Sequence, residues 1–185
     1  TEVQYDAVVK NATGKVTLAI DGTICNSTDN TYTAFTCSSA GLLEAQVVIP
    51  TLAINSKGRI VMIYNNGSGA AVPLQTEARY SDDMGGRWSA PVNLSAQFPN
   101  PGGGGNPRIR SSCAIDKNDN FLCCMVPHFT AGMYLANSSD GITWEVNLTT
   151  LSATAASDCD IEVESDGQIH IIGFNVTGEP VSPQF

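Results

Sequence analysis

Apolar residues in this chain occur in short runs that turn residues interrupt about every ten positions, and no run keeps the period of an amphipathic helix. Thr, Ser, Asn and Gly are frequent between the runs. Three segments share the order strand, polar turn, strand, at 54–63, 115–124 and 163–172, and a fainter copy spans 9–20. This pattern predicts an all-β protein built from repeated hairpins.

The hairpins recur at a roughly regular spacing. Their turn residues Gly14, Gly58, Asp119 and Gly167 are separated by 44, 61 and 48 residues. Repeat units of about 40 to 50 residues are common in proteins that arrange small four-stranded sheets around an axis. We therefore expect one all-β unit over 1–185 with about three and a half repeats. Their approximate bounds are 1–46, 47–100, 107–152 and a partial repeat at 158–185.

A second repeated feature fits the pattern Ser-x-Asp-x-Gly-x-x-Trp. One copy runs from Ser81 to Trp88, and a shorter copy runs from Ser138 to Trp144. The aspartate can tie the backbone of a tight turn, the glycine tolerates positive φ, and the tryptophan covers the turn with an apolar face. We interpret both copies as structural staples. The residues assigned to them are Ser81, Asp83, Gly85, Trp88, Ser138, Asp140, Gly141 and Trp144.

These segments resemble the Asp-box, or bacterial neuraminidase repeat, of β-propeller blades in sialidases and many non-enzymatic relatives. The resemblance implies Asp-box propeller blades, with a degenerate first box in which Ser39 replaces the aspartate and Leu43 or Glu44 stands near the tryptophan position. A closed propeller needs at least about four blades, and sialidase-like rings usually have about six. We therefore expect an incomplete ring, completed by a longer polypeptide or by other chains, or a truncated piece. A β-sandwich is the alternative fold.

The resemblance to sialidases does not extend to their catalytic residues. An Arg-Ile-Pro motif in sialidases supplies an arginine that grips the substrate carboxylate, and the matching segment here is Val48-Ile49-Pro50. The segment between Tyr64 and Ser81, where sialidases usually place an acid/base aspartate, contains none. Arg108 or Arg110 is a candidate for binding an anion, but one arginine does not make a carboxylate clamp. With no Tyr/Glu nucleophile pair identified, we assign no catalytic residue, and the balance favours a protein that is not an enzyme.

The charge of the chain disfavours one class of partner. Nine Lys and Arg residues against 18 Asp and Glu residues give a net charge of −9, which repels nucleic acid. No apolar run reaches the roughly 18 residues of a membrane span. Four acidic residues alternate with apolar ones near the C-terminal end, which predicts a strand with one acidic face at an edge or interface. A calcium site is the alternative, and no other cofactor is predicted; the four residues are Asp158, Asp160, Glu162 and Glu164.

Six cysteines without the spacing of a metal site predict disulfides and an oxidising compartment. Two of them are adjacent, and adjacent strand residues face opposite sides, so Cys159 pairs with whichever one faces it. Repeat alignment places one pair within the first repeat and a second set on neighbouring strands of the third. The six are Cys25, Cys37, Cys113, Cys123, Cys124 and Cys159.

Half of the asparagines occupy Asn-x-Ser/Thr acceptor sites for N-glycosylation, against roughly two expected by composition. Asn93 and Asn147 both stand in Val-Asn-Leu after a tryptophan, which predicts glycans on the same exposed edge of successive blades. We therefore predict a secreted or cell-surface glycoprotein. The acceptors are Asn11, Asn26, Asn66, Asn93, Asn137, Asn147 and Asn175.

Three hypotheses about function follow from the sequence. The first is a non-catalytic extracellular or cell-surface glycoprotein module for adhesion, assembly or surface structure, partnered by copies of itself or by the rest of a longer chain. The alternative is a fragment of a sialidase-like glycoside hydrolase whose active-site residues lie outside this chain. The second alternative is a carbohydrate-binding lectin with a glycan ligand.

Overall fold

The computed structural model is all-β in the residues that it describes, which confirms the predicted fold class. Fifteen strands in this part of the chain form four antiparallel sheets, and a short 3₁₀ turn spans Ser95–Gln97. The described residues are 7–20, 23–29, 33–38, 47–66, 75–97, 109–127, 133–149, 156–175 and 180–181.

Each sheet is a meander in which consecutive strands pair with one another. Sheet 1 contains β1 (Ala7–Lys10), β2 (Val16–Ile20), β3 (Thr23–Ser27) and β4 (Phe35–Ser38). Sheet 2 contains β5 (Val47–Ile54), β6 (Ile60–Asn66), β7 (Gln75–Ser81) and β8 (Val92–Asn93). Sheet 3 contains β9 (Ile109–Ile115), β10 (Phe121–Pro127), β11 (Met133–Ser138) and β12 (Glu145–Thr149). Sheet 4 contains β13 (Ala156–Val163), β14 (Ile169–Asn175) and β15 (Pro180–Val181).

The turn between the first two strands has the same construction in all four sheets. In sheet 2, Asn55 N donates to Arg59 O and Gly58 N donates to Asn55 O, both at 3.0 Å, and the other three turns repeat these two bonds. The fourth residue of each turn has positive φ, a conformation that glycine adopts without steric cost and that aspartate tolerates. These residues are the ones that the sequence alignment superimposes: Gly14 (φ 89°), Gly58 (84°), Asp119 (68°) and Gly167 (92°).

The sheets pack face to face in chain order. β1 packs against β5, β5 against β9 and β9 against β13, so the first strands of all sheets lie side by side. One apolar cluster fills each space between neighbours, centred on Met62 between sheets 1 and 2, on Phe121 between sheets 2 and 3, and on Cys124 between sheets 3 and 4. The result is a propeller-like row of four blades, the last of which has three strands.

Three disulfides stabilise this row, which confirms the prediction of paired cysteines. The adjacent residues Cys123 and Cys124 face opposite sides of sheet 3, so they reach different partners. Two disulfides each join neighbouring strands of a single sheet, one in sheet 1 and one in sheet 3. The third crosses from sheet 3 to sheet 4. The pairs are Cys25–Cys37, Cys113–Cys123 and Cys124–Cys159.

Two glycines allow the packing between blades to be measured separately from backbone strain. Gly141, in the turn between β11 and β12, has φ 69°, and a Cβ there would lie 2.8 Å from Val61 Cγ2 of sheet 2. Gly58 has φ 84°, but a Cβ there would meet nothing within 4 Å. We expect Gly58→Ala to lower the free energy of unfolding by about 1 to 2 kcal/mol through strain alone.

For Gly141→Ala we expect about 2 to 5 kcal/mol, because overpacking against sheet 2 adds to the same strain. Urea unfolding followed by tryptophan fluorescence measures both values. Equal losses for the two variants would contradict the close packing of this turn on the preceding blade.

Candidate functional site

The first Ser-x-Asp segment forms the turn between β7 and β8. Ser81 Oγ donates to Asp83 Oδ1 at 2.8 Å and accepts the N–H of Gly85 at 2.8 Å. Asp83 Oδ1 also accepts the N–H of Arg87 at 2.7 Å. Ser81 is buried, and Gly85 has φ 82°. The serine and aspartate therefore hold the backbone of the turn.

The second segment forms the corresponding turn between β11 and β12, with one residue fewer. Gly141 N donates to Ser138 Oγ, and the N–H groups of Ile142 and Thr143 both donate to Asp140 Oδ1, each at 2.8 Å. In the first segment the additional residue, Met84, takes a left-handed φ of 59°. The two turns therefore occupy the same place in successive blades but differ by one residue in length.

The two tryptophans close over their own turns but differ in hydrogen bonding. Trp144 is 6% exposed, and its Nε1 donates to Gly141 O at 3.3 Å. Trp88 is half-buried beside Met84, and its buried Nε1 has no hydrogen-bond partner among the described residues. Among the described residues, only the shorter turn therefore provides a hydrogen-bond acceptor for the indole N–H of its tryptophan.

Arg59, in the first turn of sheet 2, links the Ser-x-Asp turn of its own sheet to that of sheet 3. Its guanidinium donates Nε and Nη2 to the two carboxylate oxygens of Asp82, at 2.6 and 2.8 Å, and Nη1 to Asp140 O at 2.5 Å. It also stacks over the Tyr80 ring, 4.4 Å from the centroid. The hydrogen bond from Arg59 lowers the pKa of Asp82. A planar, permanently charged fork suits this set of contacts, and a lysine would not reproduce it.

A buried polar cluster in sheet 2 was not identified from the sequence. Tyr64 lies directly opposite Glu77 on β6 and β7, and its hydroxyl donates to Glu77 Oε2 at 2.5 Å. Asn66 Nδ2 donates to the other oxygen of Glu77 at 3.1 Å, and Arg79 Nε donates to the Tyr64 hydroxyl at 2.8 Å. Finding this cluster from the sequence would have required the register of β6 on β7. The length of the intervening segment 67–74 leaves that register undetermined by the sequence.

Burial limits the chemistry that this Tyr–Glu cluster can perform. Tyr64 is 2% exposed and Glu77 is 6% exposed. Burial, followed by the hydrogen bond to Glu77, raises the pKa of Tyr64 well above its ordinary value. The phenol therefore stays protonated at neutral pH and is closed to solvent. In this arrangement the cluster satisfies buried polar groups rather than presenting a nucleophile.

One predicted arginine, Arg110, and two of the predicted acids, Asp158 and Asp160, meet at the first strands of sheets 3 and 4. Arg110 Nη1 donates to Asp158 Oδ2 at 2.9 Å, and Ser112 Oγ donates to Asp160 Oδ1 at 2.6 Å. Each of these aspartates also accepts the backbone N–H of the residue that follows it, at 3.0 Å. β13 is the edge strand of its sheet, so these carboxylates occupy edge donors that another strand would otherwise pair.

The other two predicted acids, Glu162 on β13 and Glu164 in the turn after it, do not join them in a metal site. Glu164 pairs with His170 at 3.0 Å, and Glu162 is exposed opposite His170 on β14. Among the described residues, no group of three or more His, Cys, Asp or Glu side chains is placed to hold a metal ion. The calcium alternative therefore gains no support from this part of the chain.

Several sequence predictions lie outside the described residues. They are the degenerate first box with Ser39, Leu43 and Glu44, and the anion candidate Arg108. Val48 lies on β5 at the point where its pairing with β6 shifts register. In the part of the chain that the structure covers, no helix is long and apolar enough to span a membrane.

The glycosylation acceptors differ in accessibility. Asn93 and Asn147 are exposed on the outermost strands of sheets 2 and 3, whereas Asn11, Asn26, Asn66 and Asn137 are half-buried. Asn93 lies opposite Glu77, on the side of sheet 2 that faces sheet 1. Asn147 lies opposite Leu135, on the side of sheet 3 that faces sheet 4. The two asparagines therefore share the outer rim but stand on opposite blade faces. The seventh acceptor, Asn175, ends β14, and its side chain is not described.

A groove of about 450 Å³ separates the first turns of sheets 1 and 2. The described residues that line it include Lys10 and Lys57 and no carboxylate. The next gap along the row is closed, because Ser56 donates through N and Oγ to the Asp119 carboxylate at 2.7 and 2.9 Å. A groove of this size can hold a small ligand.

Solved structures with the same fold are longer than this chain. A Hadza microbial sialidase, Hz136, is 17% identical, and the match covers 97% of this chain and 46% of the sialidase with a TM-score of 0.62. An α-L-arabinanase from Penicillium chrysogenum, complexed with arabinobiose, is 12% identical, with 92% and 57% covered and a TM-score of 0.66. A protein of unknown function from Dyadobacter fermentans is 15% identical, with 92% and 61% covered and a TM-score of 0.62.

No model of a known protein family and no curated protein matches the sequence. At these identities the likeness to solved structures concerns the fold alone. The chain spans about half the length of the structures it matches. It is a partial, propeller-like β module similar to part of larger proteins that include glycan-active enzymes.

The two tryptophans provide a matched test of the turn geometry. We expect Trp144→Phe to destabilise the fold more than Trp88→Phe, by about 1 to 3 kcal/mol, because the first loses a hydrogen bond and the second removes an unpaired buried N–H. Chemical denaturation of each variant against the parent protein measures the difference. A larger loss for Trp88→Phe would show that its indole nitrogen has a partner.

Acid should weaken the second turn. The backbone hydrogen bonds from Thr143 and Ile142 lower the pKa of Asp140, with partial burial opposing them and Ser138 and Arg59 assisting. Because the folded pKa lies below the unfolded value of about 3.9, the carboxylate stabilises the fold above that pH, and this contribution is lost as the pH falls through the folded pKa.

We expect Asp140→Asn to lower the free energy of unfolding at pH 7 by about 1 to 3 kcal/mol and to flatten its decline in acid. Glu145→Gln, which changes an exposed carboxylate on the neighbouring strand, is the control. Stability curves between pH 7 and pH 2 that run parallel for Asp140→Asn and the parent protein would contradict this assignment.

Proposed function

We propose that this chain is a non-catalytic, extracellular glycoprotein module that works by assembly with further propeller blades. The observation that carries the proposal is the unequal covering of the sheets. Sheets 2 and 3 contribute to a buried apolar cluster on both faces, whereas in the described residues sheets 1 and 4 do so on the inward face alone. A row of blades with two uncovered end faces matches part of a ring.

The end face of sheet 1 is apolar. Val8, Leu18, Cys25 and Cys37 form one cross-strand row on the side away from sheet 2. Val8 is 60% exposed, and the Cys25–Cys37 disulfide lies in the same row. Phe35, on the same side, is 37% exposed. Because Val8 and Cys37 are exposed in this apolar row, it is typical of a surface that another protein element covers.

The end face of sheet 4 has a different character. Ile172 is 48% exposed and lies opposite Asp160, with Glu162 and His170 in the next cross-strand pair. This face combines one exposed apolar side chain with exposed acids. Between neighbouring blades of this chain, the face of one sheet that points toward the next sheet (its outgoing face) packs on the face of the next sheet that points back toward it (its incoming face). The end faces are one of each kind, so a head-to-tail contact between them continues the row.

Several observations support a non-catalytic role and an extracellular location. The Tyr–Glu cluster is closed to solvent, and the position of the sialidase carboxylate-binding arginine is Val48. Three disulfides fit an oxidising, extracellular-type environment. Both tryptophans are packed in their turns, which removes the usual aromatic platform of a lectin.

A glycan-binding role is the second candidate, favoured by the groove between the first turns of sheets 1 and 2. Its Lys57 suits an acidic sugar, and the fold is shared with glycan-active enzymes. Calorimetric titration of sialic acid into the parent protein and into the Lys57→Ala variant tests this role. Binding that the variant loses would support the groove as the site, and it would be independent of assembly because the groove lies apart from the end faces.

Assembly predicts that the protein associates in a concentration-dependent manner through its end faces. Val8→Lys and Ile172→Lys should each shift the molar mass toward the monomer, because a charge in an apolar contact costs several kcal/mol. Ile142→Lys is the matched control, since Ile142 is 42% exposed but lies in the turn between β11 and β12. Light scattering after size-exclusion chromatography, over a range of loading concentrations, measures the effect.

A compact monomer at every concentration would contradict assembly between copies and leave only the blades of a longer polypeptide as partners. We expect no turnover of a fluorogenic sialoside by the pure chain. Turnover would establish the glycoside hydrolase alternative and overturn the non-catalytic role.

A further inference from the structure

The outer rim of sheet 3 is partly closed by a side chain from sheet 2. β12 is the edge strand of its sheet. Gln97, in the 3₁₀ turn after β8, donates Nε2 to Trp144 O and accepts the N–H of Val146 through Oε1, both at 3.2 Å. The amide thereby imitates the hydrogen bonds of a neighbouring strand over one residue pair. An exposed strand edge of this kind otherwise recruits other strands.

The edge continues beyond the reach of Gln97. Along a strand, alternate residues direct their backbone groups to the same side. Since Trp144 O and Val146 N point away from β11, the next outward groups are Val146 O and Leu148 N. These two groups flank Asn147, which pairs with Leu135 of β11 and has an exposed side chain.

We propose that Asn147 carries an N-linked glycan that shields this remaining part of the β12 edge from strand addition. In the attachment step the amide nitrogen of Asn147 bonds to the anomeric carbon of an oligosaccharide carried on a lipid pyrophosphate. The amide loses one proton and the lipid pyrophosphate leaves. The hydrated glycan then occupies the space that an incoming strand would need beside Val146 and Leu148.

Asn93, the other acceptor that is exposed among the described residues, does not have this setting. Asn93 lies on β8, a strand of two residues, and its Oδ1 accepts from Ser95 Oγ at 2.8 Å and Ala96 N at 3.1 Å. The chain turns away there into the 3₁₀ segment. A short edge that ends in a turn offers little template for another strand. The shielding function therefore belongs to Asn147.

The test uses the full chain secreted from a eukaryotic cell in the Ile172→Lys background, which removes association through the end face of sheet 4. Thr149→Ala abolishes the acceptor at Asn147. Ser139→Ala is the matched control, because it abolishes the acceptor at Asn137 on β11, an interior strand. Intact mass with and without glycosidase reports the loss of a glycan. Light scattering and thioflavin T fluorescence report strand-mediated association.

We expect Thr149→Ala to lose one glycan mass and to form thioflavin-positive species at a several-fold lower protein concentration than the Ser139→Ala control. Asn147→Lys should lack the same glycan yet remain dispersed, because an edge lysine also blocks strand pairing. If glycosidase removed the same mass from Thr149→Ala as from the parent protein, the proposed modification of Asn147 would be overturned. Loss of the glycan with association equal to that of Ser139→Ala would overturn the shielding role, without bearing on association through the end faces.

Discussion

The two middle blades of this protein are apolar on both faces, so each is stable only while its neighbours cover it. A lone sheet of three or four short strands buries too little surface to persist in water. The buried clusters on either side of sheet 2 contain Met62 on one face and Val61 on the other. Successive residues of a single strand thus belong to two different cores. Cooperation between blades is therefore a condition of folding.

Arg59 shows how this dependence is strengthened by polar contacts. Its guanidinium contacts Asp82 in its own blade and the carbonyl of Asp140 in the next. Gly141 follows that carbonyl and lies so close to Val61 that a methyl group would not fit. The packing of Gly141 and the hydrogen bond from the Arg59 guanidinium thus hold the same turn of sheet 3 against sheet 2. The Ser-x-Asp segments hold their own backbones, and they also set the distance between blades.

The hairpins and their turn residues could be predicted from the sequence because the determinants are local. A polar turn between two apolar runs, with Gly58 or Asp119 at the fourth position, is specified within a few residues. The Tyr64–Glu77 pair could not be predicted in this way. It depends on how β6 and β7 align across an intervening segment, and a shift of one residue would separate the two side chains.

The same distinction explains the cysteines and the acidic strand. Alternation along a strand indicated that Cys123 and Cys124 face opposite sides, but only the packing of sheets 3 and 4 selects Cys124 as the partner of Cys159. The alternating acids predicted an acidic face at an edge or interface, and Asp158, Asp160 and Glu162 lie on the first strand of the last sheet that the structure describes. That Asp158 and Asp160 bind Arg110, Ser112 and their own strand's N–H groups depends on how two blades meet at their first strands. The extra residue in the first Ser-x-Asp turn was visible in the sequence, but its effect on the indole of Trp88 was not.

The Cys124–Cys159 disulfide makes the two ends of the row mechanically unequal. Sheet 4 is covalently fastened to sheet 3, whereas the disulfide of sheet 1, Cys25–Cys37, closes within that sheet and leaves its contact with sheet 2 dependent on packing and hydrogen bonds in the described residues. Under a pulling force or a transient fluctuation, we expect sheet 1 to separate first while sheets 3 and 4 move together, because a disulfide joins only the latter pair in the described residues. Sheet 1 is thus the end of the row that can move independently, and sheets 3 and 4 form its covalently linked end.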